Sequence, residues 1–237
     1  ISPFAYFQHS SIITNTNEKL KNKTYEVRYT IAGDYKQKII NNLIELKNVE
    51  SDALNLTIEQ VGANNTIQCY QDNWCYIKDS VTIDFKQINT TTSDNVLEIW
   101  HIEDGNNTIR WGQGVSLNNK NSTTWVYDGA EGGGHYARID VHGGGNNFIG
   151  YQQNAGDTTG HIFTSLIFSD NNDIWVRQKN NGRKELNLYT TSDGNTIDVL
   201  QKTNGGEHTA NINLHGSQPT TFNLIQQGQT DQSYSLT

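Results

Sequence analysis

The sequence predicts an all-β fold, a two-sheet β-solenoid, from three observations. A five-residue phrase, apolar-any-apolar-any-glutamine, occurs seven times, and its starts are 23 to 27 residues apart except for one gap of 40. A second apolar strand precedes most copies by about ten residues, and turns rich in glycine and asparagine separate the two. A fixed period of this size is typical of repeat architectures. The copies span residues 56–60, 83–87, 109–113, 149–153, 174–178, 197–201 and 222–226.

Each phrase alternates like a β-strand, which places both apolar residues and the glutamine on one face. A glutamine at the same inward position of every repeat indicates stacked amides that bond along the stack. Such a ladder satisfies buried amides, which otherwise cost a few kcal/mol each. The predicted ladder consists of Gln60, Gln87, Gln113, Gln153, Gln178, Gln201 and Gln226.

A β-sandwich of hairpins is the alternative architecture, since short strands and turns also suit that fold. The recurring glutamine favours the solenoid, because stacked coils place each side chain above its counterpart. The sequence therefore predicts about seven strand-turn-strand-turn repeats of about 25 residues within residues 51–237. The long gap predicts an insertion near 115–136, which contains the glycine-rich run 129–134.

Residues 1–50 lack the phrase and are predicted to form an N-terminal cap or an assembly arm. Terminal repeats of a solenoid need an atypical cap, which is one interpretation of this segment. The other rests on its first seven residues, which are rich in apolar and aromatic side chains and could add a strand to a neighbouring subunit. The residues predicted to mediate assembly are Ile1, Phe4, Tyr6 and Phe7.

Composition indicates an exported protein that does not bind nucleic acid. The chain has no methionine and begins at Ile1, which is most simply explained by removal of a signal segment. Its net charge of −8 and its lack of lysine or arginine clusters do not suit phosphate binding. No apolar stretch reaches the ~18 residues of a membrane span.

Two cysteines, Cys69 and Cys75, lie six positions apart. In an exported chain this spacing predicts one local disulfide, with two free buried thiols as the alternative. A structural zinc site would need four ligands, and the sequence contains no Cys-x-x-Cys motif. We therefore expect neither a metal nor another cofactor.

The phrase and its turns resemble the curlin repeat of bacterial amyloid-like fibre subunits, which carries inward Gln and Asn around a Gln-x-Gly-x-x-Asn turn. The segment from Gln60 through Gly62 to Asn65 matches this turn in full. The segment from Gln226 through Gly228 to Asp231 matches it with Asp in place of Asn. The other five repeats depart from it. The resemblance implies a two-sheet solenoid that stacks end to end into secreted fibres.

The leading functional hypothesis is an extracellular structural subunit that assembles head to tail with copies of itself into filaments or matrix. The last predicted coil has no charged or proline-bearing cap, and unpaired strand edges pair with other chains unless they are protected. The alternative is a cell-surface adhesin or glycan-binding module. Aromatic side chains predicted to be exposed favour it: Trp100, Trp125, Trp175, Tyr127 and Tyr136.

An enzyme is not expected, because the best local group of titratable residues is poor. Asp140 and His142 share one strand face, with Glu131 and His135 nearby, but no cleft is predicted around them. Six Asn-x-Ser/Thr acceptors would matter only in an organism that glycosylates exported proteins. They start at Asn22, Asn55, Asn64, Asn89, Asn106 and Asn121.

Overall fold

The computed structural model describes residues 9–14, 24–30, 42–47, 49–50, 55–62, 65–69, 77–78, 81–89, 94–103, 105–117, 119–125, 134–153, 160–180, 182–216, 220–228 and 230–237. Its described residues form β-strands and connecting turns, without a helix. The strands are β1 (His9–Thr14), β2 (Thr24–Thr30), β3 (Asn42–Lys47), β4 (Val49–Glu50), β5 (Asn55–Gly62), β6 (Asn65–Cys69), β7 (Ile77–Lys78), β8 (Thr82–Asn89), β9 (Asp94–Ile102), β10 (Thr108–Gln113), β11 (Gly134–Val141), β12 (Asn147–Gln153), β13 (Ile162–Ile167), β14 (Asp173–Lys179), β15 (Glu185–Thr190), β16 (Thr196–Lys202), β17 (Thr209–Leu214), β18 (Thr221–Gln227) and β19 (Ser233–Leu236).

The strands form two parallel sheets, and successive strands from β8 onward alternate between them. Sheet 1 has the order β1-β3-β6-β9-β11-β13-β15-β17-β19, with the short strands β4 and β7 beside this path. Sheet 2 has the order β18-β16-β14-β12-β10-β8-β5-β2. Hairpins of a sandwich would pair antiparallel, so this pairing confirms the β-solenoid and excludes the sandwich. One coil of the solenoid is one strand from each sheet.

The described backbone of residues 1–50 continues the solenoid. In sheet 1, β1 pairs with β3 and β3 pairs with β6, while in sheet 2 β2 pairs with β5, all in parallel. The segment therefore contributes strands to both sheets. Residues 1–8, which include the four predicted assembly residues, lie outside the described part, so their role as an arm stays a prediction.

The core lies between the two sheets and is built from alternate residues of each strand. In β14, for example, Ile174, Val176 and Gln178 are buried, and the residues between them are partly exposed. In-register stacking puts like above like, so that Ile174 pairs with Ile197 and Val176 with Val199. Burying such columns of aliphatic side chains is the main stabilising term of the fold.

Trp111 occupies the centre of this core, and Gly150 makes room for it. The two residues are register partners on β10 and β12. A Cβ at Gly150 would lie 2.0 Å from Cζ2 of the Trp111 ring, so no larger side chain fits there. The ring also stacks on Phe163 of sheet 1, with centroids 5.3 Å apart. One large and one small residue thus fill a space that two medium residues fill in other coils.

The described first part of the predicted insertion, residues 115–117 and 119–125, packs over the outer face of sheet 2. Val115, Leu117 and Trp125 pack with the outward residues Ile149 and Tyr151 into a second apolar cluster. The ends of this segment meet where the Leu117 amide donates to the Trp125 carbonyl, at 3.1 Å. This outer cluster buries a part of sheet 2 that would otherwise face solvent.

Candidate functional site: the open end of the solenoid

A column of glutamine amides runs along the inside of sheet 2 and has a single direction. From Gln87 onward, each side-chain Nε2 donates to Oε1 of the glutamine in the preceding coil, over 2.7 to 3.0 Å. Every Oε1 before the last therefore accepts a bond from the following coil. The members are Gln60, Gln87, Gln113, Gln152, Gln178, Gln201 and Gln226.

The same amides tie the two sheets together. The second hydrogen of each donating Nε2 is directed at backbone carbonyls of sheet 1. Gln178, for example, donates to the carbonyls of His161 and Glu185, both at 3.0 Å. A side-chain amide has two N–H donors and one oxygen with two lone pairs. The glutamines can therefore bond to one another and also to the backbone carbonyls of sheet 1 at the corner of the coil. This explains why the residue type recurs.

The sequence-based assignment of Gln153 to the ladder is wrong by one residue, because Gln152 occupies the position. Gln113 pairs with Gln152 in the register of β10 and β12. The phrase is misleading here because the inward central residue is Gly150, while the outward Ile149 and Tyr151 are buried by the insertion. Both faces of β12 are therefore buried, and alternation alone cannot distinguish them.

A second amide column, which the sequence analysis attributed to turns, lies at the other end of the sheet 2 strands. Asn107, Asn146, Asn172 and Asn195 are buried, and each Oδ1 accepts the backbone N–H of the corresponding residue in the preceding coil, over 2.8 to 3.0 Å. Each asparagine stands six residues before its glutamine. That constant offset was the available signal, but it does not distinguish Gln152 from Gln153, because Asn146 and Asn147 precede them by the same six residues.

Titratable side chains fill one inner corner, between the ends of the sheet 2 strands and the starts of the sheet 1 strands. His135, His161, Lys184 and His208 hold equivalent positions in successive coils and are 0 to 2% exposed. The His161 ring nitrogens face the carbonyls of Lys179 and Arg183, and those of His208 face Gln227 and Asp231, over 2.7 to 3.0 Å. These rings therefore cap the turns of the next coil.

His135 differs, because neither of its ring nitrogens has a hydrogen-bond partner among the described residues. Burial, with a smaller electrostatic contribution from Lys184, lowers the pKa of His135 from its usual 6.5 to about 3. Burial also holds the pKa of His161 well below its usual value. The His135 ring is thus neutral in the folded chain at pH 7.

We expect acid to destabilise the chain through this corner, and His135→Asn to reduce the effect. Below about pH 6.5 the unfolded chain binds a proton at residue 135, and the folded chain does not until pH approaches 3, so stability falls with pH in that window. The slope is about 1.4 kcal/mol per pH unit for each such ring. Asparagine already occupies the equivalent position at Asn95, whose Nδ2 has no described partner.

The measurement is the free energy of unfolding in urea at pH 7 and pH 4.5. The loss between the two should be smaller for His135→Asn than for the unsubstituted chain. A control, His215→Asn, removes an exposed histidine instead. Equal losses for all three chains would contradict the assignment.

In the last described coil, formed by β18 and β19, side chains at core positions remain partly or largely exposed. Tyr234 and Leu236 continue the columns of Ala210 and Ile212, which are 1% and 3% exposed, yet they are themselves 49% and 52% exposed. Phe222 and Leu224 pack on the core from sheet 2 but are only partly buried. Among the described strands, none pairs with the far edge of β18 or β19. We call these four side chains and the two strand edges the open end.

The open end also interrupts the glutamine column. Gln226 donates to Gln201 Oε1 at 2.8 Å and to the Ser233 carbonyl at 3.3 Å. Within the described part of the chain, no donor reaches its own Oε1. The open end therefore presents apolar surface, two unpaired strand edges and the acceptor of an unfinished ladder side by side.

Some of the other predicted site residues lie in the described part of the chain, and others lie outside it. Cys69 is fully buried, and Cys75 lies outside the described residues, so the disulfide stays a prediction. Asn106 and Asn121 are exposed, as glycan acceptors would need to be. Both lie in turns, at positive φ of 64° and 63°. Asn55 and Asn89 are described only as backbone of β5 and β8, and Asn22 and Asn64 lie outside.

Of the tryptophans predicted to be exposed, Trp125 is buried, and Trp100 and Trp175 each have an arginine guanidinium over the ring. Trp125 is 7% exposed inside the outer cluster, so that prediction is wrong. The Arg138 guanidinium lies 4.3 Å from the Trp100 ring centre, and the Arg177 guanidinium 4.0 Å from that of Trp175. Tyr127 lies outside the described residues.

The group considered for catalysis does not converge. His135 points into the core, while Asp140 is outside it and pairs with Arg138 at 2.7 Å. Glu131 is not among the described residues. Within the ranges that the structure describes, no three His, Cys, Asp or Glu side chains are grouped as a metal site would require. In that same part of the chain there is no helix long and apolar enough to cross a membrane.

No family model, curated protein or solved structure matches this chain.

Proposed function

We propose that the chain is an extracellular structural subunit that adds head to tail to further copies of itself, building a filament or matrix. The observation that carries the proposal is the open end, where four core side chains remain exposed or half-covered. A further coil stacked on them would bury these side chains as every earlier coil is buried. Such burial stabilises by about 25 cal/mol per Å² of apolar surface.

The strands at the open end lack the features that usually keep edges apart. Natural edge strands carry charges, prolines or bulges that prevent pairing with other chains. Neither β18 (Thr221–Gln227) nor β19 (Ser233–Leu236) contains a charged residue or a proline. Both have the regular parallel register of the preceding coils. These edges are therefore suited to accept parallel strands.

The direction of the glutamine column favours a head-to-tail contact over a two-fold one. The open end offers the Oε1 acceptor of Gln226, whose partner must be a donor at the start of another solenoid. Two open ends brought together would instead pair acceptor with acceptor. A contact between unlike surfaces does not close on itself and produces a fibre. The resemblance to curlin repeats is in keeping with this mode of growth.

Strands that could meet the open end belong to the start of a second copy. β1 and β2 are the terminal strands of sheets 1 and 2 at that end of the described solenoid. The seven residues Ile1 to Phe7 precede β1 and are rich in apolar and aromatic side chains. We propose that they help to cover the exposed core of the neighbouring copy.

Deletion of residues 1–7 tests this pairing. We expect the shortened chain to stay folded by circular dichroism and to sediment as a monomer where the full chain forms polymers. The control replaces the same seven residues with a Gly/Ser sequence of equal length, which should also fail to assemble. Polymers formed equally well by either variant would remove the arm from the proposal.

A further inference from the structure

A column of partly or fully exposed aromatic side chains runs along the solenoid on the outer side of sheet 1. It consists of His101, His142, Phe168, Tyr189 and His215, one residue from each of five successive coils. Neighbouring ring centres are 4.2, 5.0, 6.4 and 5.7 Å apart. Phe168 is 44% exposed, whereas phenylalanine is among the residue types that are most often fully buried.

A shallow groove of about 290 Å³ lies beside this column, with Tyr189 in its wall. Its outward lining includes Thr164, Leu166, Asn187, Asn211 and Asn213. Although the chain has a net charge of −8, none of the described residues that line the groove has a charged side chain. The described lining is therefore neutral and rich in amides and hydroxyls, with the Tyr189 ring in its wall.

The amides of Asn187 and Asn211 in the groove are ordered by hydrogen bonds. Asn211 Nδ2 donates to Asn187 Oδ1 at 3.0 Å, and Asn187 Nδ2 donates to Glu185 Oε1 at 2.9 Å. Oδ1 of Asn213 is buried and has no hydrogen-bond partner among the described residues.

We propose that this groove binds a neutral polysaccharide that runs along the solenoid axis. Sugar rings have apolar faces that stack on aromatic side chains, and hydroxyls that bond to amides in both directions. Parallel strands repeat about every 4.8 Å along the axis, which is close to the length of one pyranose unit, so a linear glycan can meet equivalent groups on successive coils. Nucleic acid would need cations that the groove lacks.

The groove lies on the outer face of sheet 1 and reaches the last coil, where Ser235 and Thr237 line it, but none of the four core side chains of the open end lines it. Tyr189 and Asn187 point outward from β15, between the inward Leu186 and Leu188. An aromatic residue at the open end, Tyr234, therefore provides a matched control for the tyrosine in the groove.

The test is affinity electrophoresis in native gels that contain one polysaccharide each. The neutral probes are hydroxyethylcellulose, xyloglucan, galactomannan and dextran, and polygalacturonate is the acidic probe. We expect at least one neutral polysaccharide to retard the chain more than polygalacturonate does. Tyr189→Ala should weaken that retardation about tenfold, as loss of roughly 1.4 kcal/mol of stacking would.

Two further variants separate stacking from folding and from assembly. Tyr189→Phe keeps the ring and should retain binding, whereas Tyr234→Ala changes the open end and should bind like the unsubstituted chain. Absence of retardation by all four neutral polysaccharides would overturn the proposal. So would retardation that Tyr189→Ala leaves unchanged, or a preference for polygalacturonate.

Discussion

Replacing Leu224 and Leu236 with glutamate is expected to abolish assembly and to leave a folded monomer. Both side chains hold core positions at the open end, one on each sheet. In the monomer Leu236 is 52% exposed and Leu224 is partly buried at the rim, so solvent can reach a carboxylate at either position. Under an added coil, each carboxylate would be buried without a partner, which costs several kcal/mol. Association should therefore weaken by about a thousandfold or more.

The matched control places the same charges one residue away on the same strands. Ile225 and Ser235 point outward, away from the core, and are exposed. Ile225→Glu with Ser235→Glu has the same net charge as the first variant and should still assemble. Sedimentation velocity and circular dichroism would distinguish the two. If both variants assembled equally, or both failed equally, the inward residues of the last coil would not be the contact.

Gln152→Leu is expected to destabilise the fold far more than Gln153→Leu. Gln152 donates to Gln113 Oε1 at 2.8 Å and to the Ile162 carbonyl at 2.7 Å, and it accepts from Gln178 at 2.7 Å. Leucine removes all three bonds and leaves buried groups unpaired, at about 1–3 kcal/mol each. We therefore expect a loss of about 3–6 kcal/mol in the free energy of unfolding.

The neighbouring substitution is its internal control. Gln153 Oε1 is buried and accepts no bond within the described structure, so its replacement by leucine removes an unsatisfied acceptor. Gln153→Leu should change stability by less than about 1 kcal/mol. Urea unfolding of the two variants compares them directly. A larger loss for Gln153→Leu would restore the register that the sequence phrase suggested and would refute the structure at β12.

Periodicity was sufficient to predict the solenoid, because a glutamine side chain bonds to the same backbone groups at the same corner of successive coils. Six of the seven glutamines lie in the ladder where the phrase put them. The fixed position of the glutamine in each repeat also favoured the solenoid over a sandwich, and the parallel pairing confirms the solenoid. Local alternation failed only at β12, where Gly150 accommodates Trp111 and the insertion buries the outer face.

The features that could not be predicted from the sequence depend on packing between residues that are far apart in the chain. Nothing local shows that Trp125 folds onto sheet 2, since its partners Ile149 and Tyr151 are more than twenty residues away. The aromatic column has the same character, because its rings meet only after the coils stack. The Asn column was detectable from its constant offset to glutamine, but asparagine before a strand also reads as a turn residue. Alternation and composition cannot separate those two roles.

Head-to-tail growth is the central claim, and its most direct test is the size of the unmodified chain as its concentration rises. Sedimentation velocity from submicromolar to several hundred micromolar should show a shift from monomer to long polymers. Electron microscopy of the same samples should show unbranched filaments of uniform width, with a repeat of about 4.8 Å along the axis. Monomers at every concentration would contradict the claim, and a closed dimer would show that the open ends meet each other.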